Sequence, residues 1–426
     1  MALGVSDASA ATINVGETST GTGAVTIEDD GICSITEAIQ NANNTSGTPV
    51  NVDCVAGGIP DGAGGAADDI ILPNNSTFTF DGINPSTFPG DGQNALPLIT
   101  SNINIEGNGS VLERMEDPLP PGAPIPDFRI INTNGNLTLN NLTLRNGSTL
   151  QSGGCITAEG TLSLNNSEIS GCNSQNTGGG ILIFDTNASI TNSVISGNTA
   201  TSFGGGIYNI SSASNLSFNL INSTVSGNIT QANGGGISVY SSIYTSIINI
   251  VNSTITNNIA EIGSGLDLFF SDINIRNSII SGNNLINGSI NNCFIFSVSN
   301  FNDLGNNLSN DNTCGFTSPG SFDNDCLGPL TNNGGPTLTH ALIESNTGTC
   351  STNLAIDGGD NATCAGPEVN NQDQRGVMRP IDGGGVNGAQ CDIGSFEFQP
   401  LSESGICSMT EFFGDGVDNN GDGNSN

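Results

Sequence analysis

The chain has no lysine, no tryptophan, a single histidine (His340) and only 5% aromatic residues. Its six basic residues are all arginine, set against 40 acidic ones for a net charge of −34. Each shortage excludes something. Without a basic surface the chain cannot gather phosphates, so nucleic acid is excluded as a partner. The same field opposes docking on anionic lipid, and the apolar runs are of strand length, too short to enter a bilayer as a helix. With one histidine and no CxxC pair among the 11 cysteines, a zinc site lacks its usual ligand pairs. With 35% hydrophobic residues and few aromatics, a core must be built from small and β-branched side chains.

The composition that remains is a vocabulary of strands and turns: 59 glycines with abundant Asn, Ser and Thr. At 426 residues the chain is too long for one compact core, which points to several domains or one elongated array. The acidic charge is dispersed rather than blocked, so it suits solubility and cation binding more than disorder. Scattered cysteines read best as disulfides, and disulfides imply an oxidising, extracytoplasmic location. The odd count leaves one thiol free or paired between molecules. Ala8-Ser9-Ala10 resembles the small-residue end of a signal peptide, so the chain is expected to begin just inside a processed precursor.

From about Leu137 to Asn283 one theme repeats: an alternating apolar strand, Asn-Ser, a short β-branched strand, Gly-Asn, a variable turn and Gly-Gly-Gly-Ile. The register residues Asn141, Asn166, Asn192, Asn222, Asn252 and Asn277 are spaced 25, 26, 30, 30 and 25 apart. A variable period with strands in register is what a β-helix tolerates, because insertions go into loops. Each unit offers about three short strands, so each is one turn of a three-sided solenoid whose turns stack at ~4.8 Å. The expected fold is all-β, a right-handed parallel β-helix. Asn at a sharp bend accepts the left-handed conformation and can bond its stacked neighbours. Ile169, Ile195, Val225, Ile255 and Ile280 should form a buried column. The triple glycine suits positive φ or close backbone approach. Cys155 stands in the place of a third Gly, and Cys172 in that of an Asn in a second column, so these two are expected to pair. Cys33 and Cys54 should pair in the cap region.

Val25–Asn43 reads VTIEDDGICSITEAIQNAN. Ser34 followed by Glu37 forms a capping box before a short apolar-periodic helix, placed to close the open end of a solenoid. This segment resembles the CSLREA domain of secreted bacterial β-helix proteins, with Ile35 and Thr36 in place of that motif's Leu and Arg. Further along come LTNNGGPTLTHAL (330–342), AIDGGD (355–360), DQRGVMRP (373–380) and CDIGSFEF (391–398). This region resembles the choice-of-anchor Q domain of bacterial surface proteins. The two resemblances imply secretion and surface display. The expected organisation is a cap with irregular first coils over 1–130, the regular β-helix over 131–300, irregular C-terminal coils over 301–400 and an acidic tail over 401–426. In the tail, Asp418, Asn420 and Asp422 before Gly423 give half of a calcium loop, whose later acidic ligand would lie beyond the chain.

Polysaccharide-cleaving enzymes also use this architecture, so fold alone does not decide function. A lyase needs a basic residue beside acidic calcium ligands. In the coils only Arg145 and Arg276 are basic, five steps and roughly 24 Å apart. Asp267 and Asp272 are the closest acidic pair, expected to be solvent-facing loop carboxylates with few aromatic or basic groups around them. His340 reads as structural. The sequence therefore favours an extracellular or cell-surface structural or adhesive protein, non-enzymatic, with a surface glycan as one partner. The alternative is a polysaccharide-binding or polysaccharide-cleaving β-helix. GICSITE (31–37) reappears as GICSMTE (405–411) at the other end, with Cys407 as the odd thiol. Similar ends suggest head-to-tail filaments in which calcium completes the tail loop across the junction.

Overall fold

The computed structural model describes residues 10–16, 31–44, 49–55, 67–84, 93–116, 125–212, 216–242, 246–296, 300–316, 322–384 and 388–400. The sequence period folds into a parallel β-helix of about six turns. Each coil contributes to three ladders. The first is a branched sheet of sixteen strands, the second has six very short strands, and the third has seven. Pairing in all three is parallel and joins residues one repeat apart, as in Val194–Ser196 with Thr224–Ser226.

The corners explain the sequence. Asn141, Asn166, Asn192, Asn222, Asn252 and Asn277 all have φ between +46° and +52° and bend the first sheet into two arms. Gly171, Gly197 and Gly227 turn the chain into the second sheet, again with positive φ. The triple glycine opens the third sheet, and its members are needed for different reasons. Gly178, Gly204 and Gly234 have φ of +64° to +70°. A Cβ on Gly179 would meet the Gly205 carbonyl oxygen at 2.2 Å, and one on Gly206 would press on the Asn228 amide at 3.0 Å.

Ile169, Ile195, Val225, Ile255 and Ile280 lie in register and are 0% exposed. Each such side chain contributes about 1.5–3 kcal/mol on burial. Beside them runs a ladder of Asn198, Asn228, Asn258 and Asn283, also fully buried. Asn228 Oδ1 accepts from the Asn198 backbone N–H (3.0 Å) and Nδ2 (2.9 Å), while its own Nδ2 donates to Ile195 O and Asn258 Oδ1. This second column, rather than the corner asparagines, carries the continuous amide ladder. A hydroxyl ladder of Ser167, Ser193, Ser223, Ser253 and Ser278 runs parallel to it, each Oγ accepting from the backbone of the preceding coil.

Five disulfides staple the fold. They fit an oxidising or extracellular environment. Cys155–Cys172 replaces a Gly–Asn contact of the neighbouring coils, with Cα atoms 5.6 Å apart. Cys33–Cys54, with Cα atoms 4.8 Å apart, closes the cap. The cap is the helix Ile35–Asn43, whose Ser34 and Glu37 exchange both capping-box bonds. Its Ile35, Ala38, Ile39 and Ala42 join the core of the coils.

Beyond Phe301–Asp303, the last strand of the parallel ladders, the chain completes a partial coil through Leu308. Residues 322–384 and 388–400 run back along the flank as a strap, which includes an antiparallel strand pair, Leu327–Thr331 with Thr339–Leu342. The strap docks on the corners. Asn222 Nδ2 donates to Gln372 O, Thr224 Oγ1 to Gln374 Oε1 at 2.6 Å, and Asn277 exchanges bonds with the Asp360 backbone. The corner asparagines thus spend their amides mainly on the strap; Asn222 to Asn192, at 3.1 Å, is their one direct contact among the described residues. No helix of the described residues is long and apolar enough to cross a membrane.

Candidate functional site on the outer face of the third sheet

Side chains on a strand alternate, so in Ile237–Ser241 the residues Ile237 and Val239 point inward while Ser238 and Tyr240 point outward. Two outward columns follow from the register. One holds Thr157, Leu182, Tyr208, Ser238, Asp267 and Phe294; the other holds Phe184, Ile210, Tyr240 and Phe269, extended by Phe296.

Asp267 corrects an expectation. It is not a solvent-facing loop carboxylate: it lies within the strand Leu266–Phe269 and is 4% exposed. The glycine turn ahead of each strand folds over this column, so close that a Cβ on Gly234 would strike Ser238 Cβ at 2.5 Å. Ser238 Oγ donates to Asp267 Oδ2 at 2.8 Å, and Oδ1 has no hydrogen-bond partner. Asn233 lies close enough to favour the charged form, though not in bonding geometry with Oδ1. Burial dominates and pushes the Asp267 carboxyl up to about 6. Burial likewise pushes the Tyr208 phenol up to about 12, helped by Tyr240 and Asp267. Asp272 does not pair with Asp267. It belongs to the first sheet and accepts from the Asn300 amide at 2.7 Å.

The second column corrects another expectation, that aromatic groups near Asp267 are few. Tyr240 and Phe269 stack at 5.4 Å and 17°, and Phe269 and Phe296 at 4.2 Å and 26°. Phe270 crosses the Phe269 ring nearly at right angles, 79° at 4.7 Å. Phe270 also has φ +56°, a conformation that a bulky side chain adopts only under constraint. Phe184, Tyr240, Phe270 and Phe294 are all more than one-third exposed. The N-terminal end of the face is instead polar, a depression of about 420 Å³ where Thr157 and Leu182 meet Gln151, Ser152 and Glu159. From Glu159 to Phe296 the face spans five steps, roughly 24 Å.

The remaining sequence candidates fall elsewhere. Asp418, Asn420, Asp422 and Cys407 lie outside the described residues, and among the described residues no group of three His, Cys, Asp or Glu side chains is placed to hold a metal. Arg145 and Arg276 sit on opposite arms of the first sheet, tied to Glu113 and Glu368. His340 is buried in the strap between Ser226 Oγ (2.8 Å from Nε2) and Gly328 O (2.7 Å from Nδ1), and burial lowers its pKa.

Family models, curated proteins and solved structures yield no match to this chain. The aromatic column escapes sequence reading because its members are 25 to 30 residues apart, but a signal exists. Phe184, Tyr240 and Phe269 each stand three residues after the Ile or Leu that follows the glycine element.

Proposed function

We propose that the protein is a secreted, cell-surface structural and adhesive rod that holds a surface ligand on its third-sheet face without converting it. The observation that carries this reading is the employment of every basic group. Arg145 and Arg276 are in ion pairs at the flanks. Arg114 and Arg129 bind backbone carbonyls at Pro126, Ile125, Gly153 and Ser152. Arg375 pairs with Asp373 at 2.7 Å and lies over the Phe396 ring at 3.6 Å. Arg379 is fully buried against Asp392 O, Gly394 O and Glu397. Elimination chemistry needs a basic side chain free to meet the substrate; the two outward columns hold none, and Arg129, which borders the polar depression, is 2% exposed and bonded to Gly153 O and Ser152 O.

Hydrolysis fares no better on that face. Glu159 and Asp267 are four coils apart, roughly 19 Å, where glycoside hydrolysis wants about 5–9.5 Å; Asp185, at the corner one coil from Glu159, accepts from the Ser212 N–H and hydroxyl. Surface display is supported by the disulfides and by the resemblance of both flanks to surface-protein regions. The words DQRGVMRP and CDIGSFEF build the buried strap network around Arg375, Arg379, Asp392 and Glu397, a structural use of those residues. The competing reading, a polysaccharide-cleaving β-helix, draws on the same face. Incubation of the pure protein with pectin, alginate and neutral glycans separates the two. Retention of a neutral polymer, with no new reducing or unsaturated ends from any of them, is expected, and release of such ends, abolished by Asp267→Ala, overturns the proposal.

A further inference from the structure

We infer that the aromatic strip is a binding platform for a neutral, linear glycan, with Phe270 as its central ring. The inference rests on the adhesive reading and names its ligand. Tyr240, Phe269 and Phe296 stack on one another along the axis, so they stiffen the strip and use their faces internally. Phe270 is turned across that stack, tilted 56° to Phe296 at 5.5 Å, and remains 36% exposed. One residue past the paired stretch, its counterparts in the two preceding coils are small, Ser241 and Ser211, both buried. Packing therefore does not call for a phenyl ring at this position. The chain nevertheless holds one there in the left-handed conformation, which costs free energy for a bulky residue. Strain retained at an exposed aromatic ring is a signature of use.

The chemistry selects the ligand. An exposed aromatic face attracts the C–H face of a pyranose ring, whose hydroxyls stay at the rim for polar neighbours. A linear sugar chain is about one ring wide, as the strip is, and its residue rise is close to one coil. A protein partner needs much more: a stable interface buries about 1,200–2,000 Å², beyond a strip one side chain wide. Acidic glycans are disfavoured by a net charge of −34 and by the absence of Arg and Lys from both outward columns. The polar depression at the other end of the face, with Gln151, Ser152 and Glu159, offers hydroxyl-binding groups to the same chain.

The test is titration calorimetry of the full chain with neutral linear hexaoses (β-1,4-glucan, β-1,4-mannan and α-1,4-glucan), with polygalacturonate and a Phe-rich peptide as controls. Binding of at least one hexaose, and of neither control, is expected. Phe270→Asn keeps a residue that accepts positive φ, and Tyr240→Thr keeps a strand former. Each is expected to weaken binding tenfold or more with an unchanged circular dichroism spectrum. No affinity for any hexaose, equal affinity of both variants and the parent, or binding of the peptide alone overturns the inference. Adhesion of the parent and Phe270→Asn proteins to cell-wall material keeps the two claims apart. Equal adhesion by both leaves the adhesive rod standing and removes the strip, whereas no adhesion by either removes the rod itself.

Discussion

Replacing Asp267 by Asn should stabilise the protein at neutral and alkaline pH. The Asp267 carboxyl is raised from 3.8 to about 6 because burial disfavours its charged form, so the folded state holds a proton that the unfolded chain has released. Between these values the folded state binds more protons than the unfolded one, and stability falls as pH rises. The advantage is complete below pH 3.8, erodes through the interval and is gone above about 6. A displacement of about two units at ~1.36 kcal/mol each amounts to about 3 kcal/mol. Asn retains an acceptor for Ser238 Oγ and cannot ionise. The variant should therefore match the parent near pH 4 and exceed it by about 3 kcal/mol at pH 8. Guanidinium unfolding followed by circular dichroism at pH 4, 6 and 8 measures the difference. A gap that does not widen between pH 4 and 8, or a variant less stable at pH 8, refutes the reasoning.

Four further outcomes are expected. Ile195→Ala opens a cavity in the buried column and should cost about 2–5 kcal/mol in the same unfolding assay. The double variant Cys155→Gly with Cys172→Asn restores the Gly–Asn contact of the next coils, so it should fold under reducing conditions and lose at most the ~3 kcal/mol of a loop that size. His340 has a lowered pKa and stays neutral in the fold, so its contribution is present above pH 6.5 and is lost as pH falls below it; His340→Gln should flatten this acid limb when melting is compared from pH 7 to pH 4. If Asp418, Asn420 and Asp422 complete a calcium loop between copies, light scattering should rise with calcium and fall with chelator, and a strict monomer in millimolar calcium under non-reducing conditions removes that assembly.

The solenoid was legible because its determinants repeat. The left-handed Asn corners, the aliphatic column, the Ser34–Glu37 cap and both expected disulfides follow from register and local chemistry. What failed to show was everything contributed by docking without a period. Thr224 meets Gln374 and Ser226 meets His340 across more than a hundred residues of sequence, and no local pattern announces such a contact. The corner asparagines looked like a self-bonded ladder because their partners, Gln372 and Asp360, belong to that strap. Asp267 reads from the sequence as a solvent-facing loop carboxylate, and even an outward position of the strand Leu266–Phe269 is normally solvated. The turn at Asn233 and Gly234 packs beside Ser238 and Asp267, and that depends on the path of the loop rather than on the strand. The strip is an intermediate case, written in the sequence once the register is known but invisible in any window shorter than a coil.

The strap changes how the rod bears load. In a solenoid gripped at its last coil, tension peels strands away one at a time, each breaking before the next is engaged. Here the strap is bonded beside Thr254 and Asn277 through Ser395 and Gly394, after contacts that reach back to Asn192 through Thr337. Pull on the strap enters the coils sideways, across several of them at once. The bonds at these corners resist together in shear rather than opening in sequence like a zipper.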